Sequence, residues 1–82
     1  MTIHLRLFGE MRQYLPAGVP RRGGPLEVAD GITAQRLILS LGIPYGGEEG
    51  EIVVAVNDVQ AEHAQVLREG DTVAIFEPLA GG

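Results

Sequence analysis

The groups in this sequence that could do chemistry are few, and the most suggestive sit at one end. The sequence closes on Glu77-Pro78-Leu79-Ala80-Gly81-Gly82. After Leu79 no side chain is larger than a methyl group, and the one reactive group there is the carboxylate of Gly82. Pro78 has no backbone N–H and cannot extend a central strand ladder. The spacing therefore predicts a body that ends near Pro78, followed by a thin arm of Leu79, Ala80, Gly81 and Gly82. Such an arm is narrow enough to thread a channel and carry its carboxylate into another protein's active site. The opposing reading is a frayed end, the common fate of chain termini.

Other candidate groups are weaker. His4 and His63 are far apart, and neither has a nucleophile or an orienting carboxylate pattern beside it, so both read as surface histidines. Glu48, Glu49 and Glu51 are close in sequence, but calcium takes about six to eight oxygens and nothing nearby completes a cage. They read as a solvated acidic loop. Arg21-Arg22 lacks the strand, Gly-loop and helix that build a phosphate site, and reads as a loop tip. The expectation is a chain with no intrinsic active site, no metal and no bound cofactor.

Composition narrows the function classes. There are 82 residues, a net charge of −5 and no cysteine. Without cysteine there is no disulfide, thiolate metal site or thiol nucleophile. All six basic side chains are arginines, against eleven acids. That balance suits neither nucleic acid nor an anionic membrane, and fits a protein partner with a basic face. No signal peptide or membrane-spanning apolar run is present, so the expected location is cytoplasmic.

The elements that would position the arm follow from periodicity. Ile3 to Phe8 alternates, with Ile3, Leu5 and Leu7 on one face and His4, Arg6 and Phe8 on the other, which predicts a half-buried strand. Residues 10–15 predict a short helical turn closed by Pro16. Ala17 to Gly24, with Pro20 and several glycines, reads as a mobile loop. Pro25 to Ala29 predicts a second strand. Thr33 is a good N-cap, and Ala34, Leu37, Ile38 and Leu41 form one helical stripe that Gly42 and Pro44 end. Ile52 to Val56 predicts a central strand and Val59 to Ala61 a brief returning one. Ala64 to Leu67 predicts a helical turn laying Val66 and Leu67 on the core, and Thr72 to Glu77 the last strand. A single helical stripe needs a sheet to bury against. The expected fold is α+β, a β-grasp (ubiquitin-like) domain over residues 1–78, with a mixed sheet of about four to five strands and one main helix on one face.

If that helix covers Ile3, Leu5, Leu7, Val73 and Ile75, then Phe8 and Phe76 share the open face, close to Pro78. Aromatic residues on an otherwise wet face are common interface anchors. Phe8, Phe76 and Pro78 are therefore the expected partner interface.

These residues also carry a resemblance. Ile3 to Phe8, Val56-Asn57, and Leu67-x-x-Gly70-Asp71-x-Val73-Ala74-x-Phe76-x-Pro78-x-x-Gly81-Gly82 resemble the MoaD/ThiS family of ubiquitin-like sulfur carriers. Within it they are most similar to MoaD, the small subunit of molybdopterin synthase. Glu77 departs from the second proline common in MoaD proteins, and the loop from Pro16 to Pro25 is unusually rich in glycine. The resemblance implies a non-catalytic carrier. A ubiquitin-activating-type enzyme, consuming ATP, would adenylate Gly82, and a sulfurtransferase would supply sulfur to make a thiocarboxylate. The arm would then enter the large subunit of molybdopterin synthase and give its sulfur to the pterin precursor. Three alternatives stay open: a ubiquitin-like modifier conjugated through Gly82, a carrier for thiamine thiazole or tRNA thiolation, and an interaction module with an inert C-terminus.

Overall fold

The computed structural model describes residues 1–78, and at Glu49 the backbone alone. Strand β1, Thr2–Leu7, buries Ile3, Leu5 and Leu7 and exposes His4 and Arg6, as its alternation requires. A 3-10 helix, Gly9–Tyr14, follows and buries Met11. Strand β2 is Gly24–Glu27 rather than the expected Pro25–Ala29. It starts earlier because Gly23, at φ 106°, turns the chain so that Gly24 already pairs with Leu5.

Helix α1 spans Ala34–Ser40, with Thr33 as its N-cap. The Thr33 hydroxyl accepts the Arg36 N–H at 3.2 Å, and Gly42 takes the left-handed conformation at φ 80°. The first N–H groups of a helix have no partner within it. Here His63 and Gln65 supply them: Ala34 N–H donates to the Gln65 carbonyl at 3.0 Å and Gln35 N–H to that of His63 at 2.8 Å. Leu67 N–H returns the contact to the Ile32 carbonyl at 2.8 Å, and Val66 makes an isolated bridge with Thr33. A turn closed by Gln65 N–H on the Glu62 carbonyl thus leads into an extended strap, residues 65–67, across the helix start, in place of the helical turn expected over Ala64 to Leu67. As a result Leu67 is buried while Val66 stays 50% exposed.

Strands β3, Val53–Val56, β4, Val59–Ala61, and β5, Thr72–Phe76, complete one five-stranded sheet in the order β2-β1-β5-β3-β4. β5 runs parallel to β1 and antiparallel to β3, so β5 is the middle strand. β3 reads as almost wholly apolar because it serves two faces. Val54 and Val56 enter the core, while Val53 and Ala55 lie half-buried on the other side. Ala34, Leu37 and Ile38 of α1 join Leu5, Leu7, Val54, Val73 and Ile75 in one buried cluster. The α+β, β-grasp architecture with one main helix is therefore present.

The Pro16–Gly24 segment is more tightly built than its composition suggests. Val19 N–H donates to the Pro16 carbonyl and Gly23 N–H to that of Pro20, closing two turns. A Cβ on Gly23 would lie 2.7 Å from Arg6 Cγ and 3.0 Å from the Leu5 carbonyl oxygen. Gly18 has a similar φ of 90° but open space around it. Gly23→Ala should therefore cost distinctly more than Gly18→Ala, whose penalty is the conformational strain alone, about 1–2 kcal/mol. Leu37→Ala, which empties a fully buried site, should cost about 2–5 kcal/mol. Urea unfolding of the three variants checks both the ranking and the size.

Candidate functional site

Alternation along β5 sends Val73 and Ile75 into the core and Ala74 and Phe76 to the open face. Phe8 follows directly on β1, and its N–H donates to the Ile75 carbonyl at 3.2 Å. That bond fixes Phe8 beside the end of β5. The two rings meet edge to face, with centroids 5.7 Å apart and planes at 76°, a favoured aromatic geometry. The guanidinium carbon of Arg6 lies over the Phe8 ring, 4.9 Å from its centroid and within cation–π range.

Across the sheet Val53 pairs with Phe76. Phe8, Val53, Phe76, Glu77 and Pro78 line an open, largely apolar groove of about 640 Å³. The structure therefore brings Phe8, Phe76 and Pro78 together. Both rings are half-buried rather than fully exposed, because each covers part of the other. Val53 was not singled out from the sequence. The signal was present in the unbroken apolar run from Ile52 to Val56, since an alternating strand needs only every second residue for one core face. Leu79, Ala80, Gly81 and Gly82 lie outside the described residues.

The opposite end of β5 is held by a polar corner. The side-chain amide of Asn57 donates to Asp71 Oδ1 at 2.9 Å, and Asn57 Oδ1 accepts the Thr72 N–H at 2.9 Å. Asp71 Oδ2 accepts the Arg68 N–H at 2.8 Å. Asn57 and Asp58 both have positive φ, 52° and 70°, in the two-residue turn between β3 and β4. The Val56-Asn57 and Gly70-Asp71 signatures, distant in sequence, are thus two halves of one hydrogen-bonded corner.

The remaining candidates are structural. His4 is exposed, as expected. His63 is not a surface histidine, because it is only 3% exposed. Its Nε2 donates to the Ile52 carbonyl at 2.7 Å, and its Nδ1 is hydrogen-bonded to the Tyr45 hydroxyl. His63 ties the segment before β3 to the strap across α1. Glu51 caps a 3-10 helix, Glu49–Glu51, by accepting the N–H groups of Gly46 and Glu48. Arg21 and Arg22 are exposed in a turn. Among the described residues no group of three or more His, Cys, Asp or Glu side chains is arranged to hold a metal ion. Among them, too, no helix is long and apolar enough to cross a membrane.

The ThiS family model matches residues 5–82. The chain belongs to the ThiS family. Among solved structures, SAMP1 from Haloferax volcanii superposes with a TM-score of 0.70 at 24% identity, covering 100% of both chains. A putative molybdopterin converting factor subunit 1 from Pyrococcus furiosus gives 0.69 at 24% identity, covering 95% of this chain and 98% of its own. A complex of subunits 1 and 2 of molybdopterin-converting factor from Helicobacter pylori gives 0.57 at 22% identity, covering 100% of both chains. A search of curated protein sequences finds no significant match. The ThiS-family chain thus shares its fold both with subunit 1 of molybdopterin-converting factor and with small archaeal modifier protein 1.

The ring pair supplies a stability test. Phe8→Ser and Phe76→Ser should each leave a folded protein, because neither ring is in the core cluster. A double-mutant cycle on the pair should give a coupling of about 0.5–1.5 kcal/mol. A coupling near zero would mean that the two rings do not support one another.

Proposed function

We propose that this protein is a cytoplasmic sulfur carrier whose Gly82 bears the cargo. The carboxylate of Gly82 attacks the α-phosphorus of ATP on a ubiquitin-activating-type enzyme, and pyrophosphate leaves. A sulfide equivalent from a sulfurtransferase then attacks the acyl carbon of the adenylate. The C–S bond forms, the C–O bond to phosphate breaks and AMP departs. The thiocarboxylate gives its sulfur to an acceptor, for which the favoured candidate is the molybdopterin precursor on the large subunit of molybdopterin synthase. In this reading the protein consumes no ATP itself and holds no cofactor.

The observation that carries the reading is the apolar groove of Phe8, Val53, Phe76 and Pro78, set where the chain leaves β5 toward Gly82. A partner docked there would receive Leu79, Ala80 and Gly81 as a narrow leader. Three further facts support it. The family match runs through Gly81 and Gly82, and the Helicobacter pylori relative of the same fold is a complex of two converting-factor subunits. The absence of cysteine leaves no internal thiol to attack the thiocarboxylate. A second reading is favoured by the likeness to small archaeal modifier protein 1. It shares the adenylation step but ends on a target amine instead of sulfur. Thiamine thiazole and tRNA bases are the remaining sulfur destinations.

Intact mass of the protein from its native cells separates these outcomes. A thiocarboxylate shows one sulfur-for-oxygen difference at Gly82, whereas a modifier shows Gly82 joined to target lysines. Arm length is the sharper test. An extended residue advances about 3.3–3.6 Å, far more than near-attack geometry tolerates. Deleting Gly82, or placing Val at Gly81 to widen the leader, should abolish sulfur transfer while leaving the melting curve and partner binding unchanged. Phe76→Ser should do the reverse, weakening partner binding while Gly82 can still be adenylated. Normal sulfur delivery by the protein lacking Gly82 would refute the role of that carboxylate.

A further inference from the structure

An exposed arginine is ordinarily a solvated side chain with many rotamers open to it. Arg6 is exposed, but it is held at two points. Gly23 approaches it so closely that a Cβ there would lie 2.7 Å from Arg6 Cγ, so the arginine stem runs against bare glycine backbone. At the other end the guanidinium lies over the Phe8 ring, 4.9 Å from its centroid. Phe8 in turn lines the apolar groove with Val53, Phe76 and Pro78.

No counter-charge accompanies this placement. The neighbours of Arg6 on the open face are His4 and Phe8 along the chain, Ala74 across on β5, and Gly23 on the other side. None of them is acidic. Among the described residues Arg6 makes no ion pair and no side-chain hydrogen bond. That includes Glu77, the one acid that lines the groove. The sequence has eleven acids and a net charge of −5, yet the cation beside its apolar groove has none of them at its side.

A guanidinium that lies over a ring keeps its N–H donors at its edge, where they match the two oxygens of a carboxylate. Removing a cation from water without a partner is costly. A surface that closes over Phe8 therefore has to supply an acid or leave Arg6 wet. Because the stem and head are already held, forming that pair loses less side-chain entropy than an unrestrained arginine would lose.

We propose that Arg6 selects the partner: the surface that fills the groove is an apolar protrusion with an aspartate or glutamate beside it, placed to pair with Arg6. This rests on the reading of the groove as the docking site. It also refines the expectation drawn from net charge. A partner suited to an acidic chain is basic at large, but the point that meets Arg6 is acidic. A basic surface without that acid brings a second cation against the one over Phe8. Arg6 thus discriminates against wrong partners as well as anchoring the right one.

The test uses the full chain and the large subunit of molybdopterin synthase from the same organism, with dissociation constants measured by calorimetry. ATP is left out, so activation of Gly82 plays no part. Arg6→Met keeps an unbranched apolar stem against Gly23 and Phe8 and removes the charge. Arg36→Met removes an equal charge from an exposed position on α1, across the sheet. At low ionic strength Arg6→Met should bind about tenfold more weakly than the wild type, and the gap should narrow as salt is added. Arg36→Met should stay within about twofold of the wild type. Arg6→Lys should fall between Arg6→Met and the wild type, because it keeps the charge but loses the fork. All three should melt like the wild type. Arg6→Met that binds as tightly as the wild type, or loses no more affinity than Arg36→Met, overturns the proposal alone. Wild-type protein that does not bind the large subunit overturns the molybdopterin reading and this proposal with it.

Discussion

The structure depends on the double pairing of β5. This strand is bonded to β1 on one side and β3 on the other, parallel to the first and antiparallel to the second. Side chains of a strand alternate between faces, so a slip of one residue would exchange its entire inward and outward sets. Val73 and Ile75 would surface, and Ala74 and Phe76 would face the helix. Because both neighbours bury alternate residues against α1, neither can follow such a slip without exposing its own core positions. The core and the aromatic face are therefore set by the same register, and neither can be altered without the other.

That register is pinned at both ends by different means. At the start of β5 the Asn57, Arg68 and Asp71 groups close a corner in which Asn57 and Asp71 each bridge two partners. At its end Phe8 N–H is bonded to the Ile75 carbonyl and the two aromatic rings meet. The polar pin is directional and defines spacing. The aromatic pin is adaptable and leaves one side of the groove open. A strand fixed at its root and apolar at its tip is well suited to present whatever chain follows Pro78.

What could be read in advance was the part governed by local periodicity. Ile3 to Leu7 declared its inward face, the stripe from Ala34 to Leu41 declared the helix, and Thr33 declared the cap that the structure shows. What escaped depended on contacts between distant residues. His63 looks like any isolated histidine until Tyr45 and the Ile52 carbonyl, 18 and 11 residues away, are brought to its ring. Val66 looks like core, yet the strap must stay extended so that its carbonyls can satisfy the helix N-terminus, and that turns Val66 outward. Val53 was hidden for the opposite reason, since a run of apolar residues does not say which of them serves the second face. At the aromatic face, Phe8 and Phe76 were legible as neighbours from register alone, while their mutual covering and the Arg6 contact required three-dimensional geometry.

That mutual covering bears on how an apolar docking face can exist on so small a domain. A lone exposed phenylalanine gains by burial, by about 1.5–3 kcal/mol, and so favours sticking to itself or to other copies. Here the edge of one ring rests on the face of the other, and the guanidinium of Arg6 sits over Phe8. Part of the stabilisation that a partner would supply is already present in the free chain. Less remains to drive unspecific association, while Val53 and Pro78 keep the groove apolar for a partner of matching shape. The free protein thus keeps its most hydrophobic surface half-satisfied, and full satisfaction requires a second surface that fills the groove between the rings and Pro78.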